Sequence, residues 1–142
     1  MATKVHISFD ASDPPALARF WALALGYVEE PPPPGFDTWE AFAESHGMGP
    51  EAVERYGAVI DPDGAGPRLL FQMVPEGKAA KNRVHLDVVA PGASEGQDHE
   101  ADIEAHAERL VQAGATRIAR HEEFGKAWVV LQDPEGNEFC LV

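Results

Sequence analysis

The sequence predicts an α+β fold of two βαβββ modules, pairing into curved mixed sheets around a central cleft. Three observations carry that reading. A strand, a helix and three strands follow one another twice; both helices stop at a glycine; and an Asp-Pro-x-Gly turn precedes the last strand of each half, at Asp61 to Gly64 and at Asp133 to Gly136. A repeat on this scale indicates one supersecondary unit used twice. Either half alone would leave one face of its sheet in water, so the two are expected to bury or enclose that face together.

The elements follow in order. "KVHISFD" alternates as a half-buried strand does. "SDPPALARFWALALGY" then reads as a helix, with Ser12 or Asp13 as cap, Pro14 in the first turn and Gly26 as the left-handed stop. Its apolar stripe is Leu17, Phe20, Trp21, Ala24 and Leu25. After a proline-rich excursion, "YGAVIDPDGAGPRLLFQMV" gives strand, Asp-Gly turn and strand. In the second half "RVHLDVVA" is a strand. "DHEADIEAHAERLVQAGA" is a helix with Ile103, Ala107, Leu110 and Val111 on one face and Gly114 as stop. "TRIARHEE" and "KAWVVLQDPEGNEFCLV" supply three more strands. The result is one domain over residues 1–142: module one is 1–77 with a Pro-rich insertion at 29–56, the linker is 78–82, and module two is 83–142.

Composition narrows the function. With 24 acidic against 11 basic side chains and a net charge of −13, the chain lacks the clustered Lys and Arg that nucleic-acid binding requires. Its 44% hydrophobic and 25% charged residues are those of a globular chain. One cysteine, Cys140, cannot form an intramolecular disulfide and suits a reducing compartment. No apolar run is long enough to span a bilayer or serve as a signal peptide. The expectation is a cytoplasmic protein with a small-molecule ligand, bound to neither nucleic acid nor membrane.

His6 and His85 occupy the same place in the first strand of their halves, which makes them candidates for one shared cluster. The duplicated order, "GPRLLFQMVPEGKAAKNRVHLDV" and the closing "DPEGNEFCLV" together resemble the vicinal oxygen chelate superfamily of glyoxalase I, extradiol dioxygenases and the bleomycin- and fosfomycin-resistance proteins. Within it they resemble the bacterial glyoxalase-like proteins. In metal-using members, side chains from the first and last strands of both modules close the site. Carried over by motif, these positions fall on His6, Gln72, His85 and Cys140, with Gln72 and Cys140 standing where glyoxalases carry carboxylates. The resemblance thus implies a divalent metal (Zn, Ni, Fe or Mn) held by His6, Gln72 and His85. It also implies a lyase, isomerase or dioxygenase acting on a small oxygen-rich metabolite, in a homodimer. Glu138, on the same strand face as Cys140, is the candidate catalytic base. The alternative is a metal-free binding or drug-sequestering protein, in which His6 and His85 hydrogen-bond to Gln72 or backbone and Cys140 lines a pocket.

Trp39, Trp128, Cys140 and Arg83 are the candidate substrate-binding residues. Trp39 lies in the long insertion, and long connections tend to carry function. Lys78, Lys81 and Arg83 cluster around the linker and either clamp an anionic group or merely solvate a turn shaped by Asn82. Asp61 and Asp133 read as turn formers. His46, His99, His106 and His121 have no ligand spacing, and "EGQDHEADIEAHAE" reads as the solvated start of a helix.

Overall fold

The computed structural model describes residues 1–92 and 99–142, which divide into two compact units, Met1–Gly77 and Lys78–Val142. The first contains β1 (Ile7–Ala11), α1 (Pro14–Leu25), β2 (Val28–Glu29), α2 (Trp39–Ser45), a 3-10 turn (Pro50–Arg55), β3 (Tyr56–Ile60) and β4 (Leu69–Met73). Its sheet runs β1-β4-β3-β2, with β1 parallel to β4 and the other pairs antiparallel. The second contains β5 (Asp87–Val88), α3 (His99–Gln112), β6 (Thr116–Glu123), β7 (Lys126–Gln132) and β8 (Glu138–Leu141), ordered β5-β8-β7-β6. In both units the first strand pairs in parallel with the last. The two four-stranded mixed sheets bear out the α+β class. No helix is long and apolar enough to cross a membrane among the described residues.

Asp13 caps α1, accepting from Ala16 N–H at 3.1 Å, and Gly26 ends it at φ 67°. Leu17, Phe20, Trp21 and Ala24 are buried. Trp21 packs on Phe9 with ring centroids 5.2 Å apart, and Phe9 packs on Phe71 at 5.1 Å. Phe71 therefore lies on the helix-covered face, while its neighbour Gln72 takes the opposite one. Gly57 lets α1 approach β3: a Cβ there would meet the Pro14 carbonyl oxygen at 2.7 Å and Ala18 Cβ at 2.9 Å. Gly57→Ala is expected to destabilise the protein by about 1–3 kcal/mol, the usual cost of overpacking, which chemical denaturation measures.

Part of the insertion folds in a way its composition does not announce. Thr38 caps α2, accepting from Ala41 N–H at 3.1 Å, and Gly49-Pro50 opens the 3-10 turn. In the second unit the first strand, β5, is shorter than alternation predicts. Its backbone bonds to β8 still extend from Leu86 to Ala90. The buried stripe of α3 is Ile103, His106, Ala107 and Leu110, and Val111 is 43% exposed. The i, i+3, i+4, i+7 spacing centres the stripe on His106 and Ala107, so the predicted Val111 falls at its solvent edge. Residues 95–98 of the acidic run lie outside the described residues.

Asp61 accepts from the N–H groups of Asp63, Ala65 and Gly66. Asp133 accepts from those of Glu135 and Asn137. Both hold their Asp-Pro turns closed. The half-buried and exposed side chains on the face of each sheet opposite its helix are where polar chemistry is available.

Candidate functional site

That open face in the second unit carries the chemistry. Strand register sets Asp87 beside Cys140 and Cys140 beside Val130. Because side chains alternate, His85, Glu138 and Trp128 share the face. These residues, with Lys81, His121 and Val142 among others, line a cavity of about 510 Å³. One His nitrogen, one carboxylate oxygen and the thiol sulfur of His85, Asp87 and Cys140 lie within 4.8 Å of one another.

The three are coupled. His85 Nδ1 sits 2.9 Å from Asp87 Oδ1; a divalent ion held by both residues would take the Nδ1 lone pair and a carboxylate oxygen in place of that hydrogen bond. Burial pushes the Cys140 thiol up, Asp87, which also accepts its S–H, adds to the shift, and Lys81 acts against it. The thiol is therefore held protonated until a cation displaces the proton. Donors around a tetrahedral zinc ion lie roughly 3.5 Å apart, and these three fall within 4.8 Å of one another. An imidazole, a thiolate and a carboxylate form a mixed set that suits zinc better than manganese, which prefers oxygen ligands. The residues present fit a divalent ion.

Glu138 lines the same cavity but is already engaged. Its Oε2 accepts from Asn82 N–H at 2.9 Å and from Lys78 Nζ at 3.0 Å. The Asn82 backbone bond, reinforced by Lys78 against the cost of burial, lowers its pKa to about 2. A carboxylate so stabilised is a weak proton acceptor at neutral pH. It ties the linker to β8 instead. Its folded pKa lies below its ordinary value of 4.5, so the stability it contributes is complete above about pH 4.5 and is lost as pH falls towards 2. Glu138→Gln is expected to cost about 1–2 kcal/mol at pH 7, and the gap from the parent protein should narrow as denaturation is followed down through that window.

The other sequence-selected residues are placed as follows. His6 is exposed and immediately precedes β1. Gln72 pairs with Asp10, to which its amide donates at 2.9 Å. Asp10 is four residues along the strand from His6, so His6 and Gln72 stand roughly 13 Å apart along that direction. By the repeat, the first-unit counterpart of Cys140 is Leu70, since Ser8 pairs with Leu70 as Asp87 pairs with Cys140. Trp128 stacks on His121 with centroids 5.4 Å apart. Arg83 is exposed, and the basic side chain at the cavity wall is Lys81. Trp39 donates Nε1–H to the Glu30 carbonyl at 2.9 Å in the first unit, where it lines a different cavity.

A family model described as a glyoxalase-like domain matches residues 6–142. The chain belongs to the glyoxalase-like domain family. A comparison with curated proteins finds no match. Among solved structures, this glyoxalase-like protein is similar to a possible glyoxalase from Bacillus cereus (TM-score 0.64, 13% identity, covering 100% of this chain and 99% of that one). It is also similar to a glyoxalase/bleomycin resistance protein/dioxygenase family enzyme from Burkholderia phytofirmans (0.61, 17%, 96% and 94%). A third is a mutant fosfomycin resistance protein, FosX, from Listeria monocytogenes, complexed with Mn(II) and dihydroxypropylphosphonic acid (0.63, 12%, 99% and 90%). At these identities the likeness concerns the fold.

Sequence reasoning about this glyoxalase-like chain missed Asp87 and His121. Asp87 had a readable signal: "VHLDV" puts an acid two residues after His85, on the same strand face. His121 had none, because it joins the cavity only through the β6–β7 register that opposes it to Trp128.

Proposed function

We propose that this glyoxalase-like protein binds a divalent metal in its second unit through His85, Asp87 and Cys140, and acts on a small oxygen-rich metabolite as a lyase, isomerase or dioxygenase. The observation that carries the reading is the convergence of three different donor types within 4.8 Å. A bound ion there would supply Lewis-acid polarisation of adjacent substrate oxygens. The chain's own residues do the rest. Trp128, Val130 and Val142 form the apolar wall against which a substrate is held, and Lys81 meets an anionic oxygen at the rim. With Glu138 committed to Lys78 and Asn82, His121 is the cavity group suited to accept a proton. The Mn(II) complex of FosX supports metal use on this fold. As the family resemblance implies, the reading extends to a homodimer; Gln72, bonded to Asp10 about 13 Å along the strand from His6, is not taken as a ligand of the same ion.

The test is elemental analysis of protein purified without chelator, then incubated in turn with Zn, Ni, Mn and Fe(II). Near-stoichiometric metal is expected, with zinc retained best. Absence of every metal sinks the proposal. It would leave the metal-free binding reading, which a specific observation favours independently: the first unit holds a cavity of about 490 Å³ with a largely apolar wall.

A further inference from the structure

We infer that this cavity in the first unit is a separate ligand site that takes an organic cation with an aromatic or branched apolar body. The insertion builds it. Trp39, Phe42, Met48 and Val53 come from the segment between β2 and β3, and close against Tyr56 and Leu70 of the sheet. Their rings are fixed: Trp39 is anchored to the Glu30 carbonyl and meets Phe42 edge to face, with centroids 5.6 Å apart. About 490 Å³ is the size of a small-molecule site, and such sites are mostly apolar with a few placed polar groups.

The charged groups select the ligand's sign. Four carboxylates line the cavity, Glu29, Glu30, Glu40 and Glu54, and one guanidinium, Arg68. Arg68 is consumed by a two-pronged pair with Glu30, Nε to Oε1 at 2.9 Å and Nη2 to Oε2 at 2.6 Å. Among the described residues, no basic side chain pairs with Glu29, Glu40 or Glu54. An anion would meet three unneutralised carboxylates and no free cation. An ammonium group meets those carboxylates and the aromatic rings of Trp39 and Tyr56 in the lining, which attract cations through their quadrupoles. Burial of the apolar body supplies most of the affinity, and the exposed carboxylates supply the preference.

The experiment uses three probes with one ring system: naphthylmethyl-trimethylammonium, naphthylmethanol and naphthylacetate. Each is titrated into the full chain by calorimetry in buffer containing EDTA, so that metal in the second unit plays no part. The cation is expected to bind at least about tenfold more tightly than the carboxylate, a gap equal to about 1.4 kcal/mol, and to weaken as salt rises. Trp39→Ala should lower cation affinity about tenfold or more, as loss of an aromatic anchor does. The triple variant Glu29→Gln, Glu40→Gln, Glu54→Gln leaves the apolar wall intact and should bring the three probes to similar affinities. Equal or tighter binding of naphthylacetate, a cation preference that survives the triple variant, or no cation binding at millimolar concentration would each overturn the inference.

Discussion

Replacing His85 by alanine is expected to lower zinc affinity by about a hundredfold or more, since changes merely in the groups that orient metal ligands already cost up to that much. The neutral imidazole offers a ready lone pair, whereas Cys140 must lose a proton that burial and Asp87 hold in place. Removing His85 leaves a carboxylate and a thiol that donates its S–H to it. Asp87→Asn should weaken binding through the loss of an anionic oxygen ligand. Competition against a chromogenic chelator measures both. His6→Ala, run beside them, measures whether the ligand role assigned to His6 by motif is real: a loss comparable to that of His85→Ala supports it, and parent-like affinity removes it. Unchanged affinity in His85→Ala would remove the second-unit site itself.

The largest effect on stability is expected at Trp21. Its side chain is 1% exposed and touches Phe9 and Phe20, and Phe9 in turn touches Phe71. Trp21→Ala leaves a cavity where α1 packs on β1 and β4, for a cost of about 3–5 kcal/mol. Against a total stability of about 5–15 kcal/mol this is enough to leave much of the protein unfolded at modest temperature. Urea denaturation of the variant, followed by circular dichroism, gives the value. A loss under about 1 kcal/mol would mean that α1 shifts to refill the space.

The architecture was readable because its signals are local. Asp13, Pro14 and Gly26 mark the ends of α1 within a few residues of chain, and the Asp-Pro turns fix where strands end. The polar face was readable only in part. His85 and Cys140 could be placed by strand alternation, but their meeting with Asp87 depends on the parallel register of β5 against β8, which links residues more than fifty positions apart. The same dependence explains Gln72. Motif spacing assigned it a ligand position, yet the register of β1 against β4 sets it opposite Asp10 and gives Leu70 the place matching Cys140. Glu138 looked like a free carboxylate because nothing near it in sequence reveals that Lys78 and Asn82 fold back onto it. In the insertion, the run of prolines hid a short helix whose only announcement is Thr38.

The pairing of β1 with β4 carries a cost in time. β1 has no strand neighbour until β4 has been made and brought back beside it, and everything between, including α2 and the 3-10 turn, lies inside that loop. Closure entropy grows only logarithmically, by about 0.6 kcal/mol for each doubling of loop length. A segment that walls a cavity can therefore be lengthened or rewritten with little loss of equilibrium stability. Folding rate is more exposed, because it falls as contacts join more distant residues. Selection on the insertion would then be felt first in how quickly the nascent first unit closes its sheet, and so in how long its apolar strands stand open to aggregation.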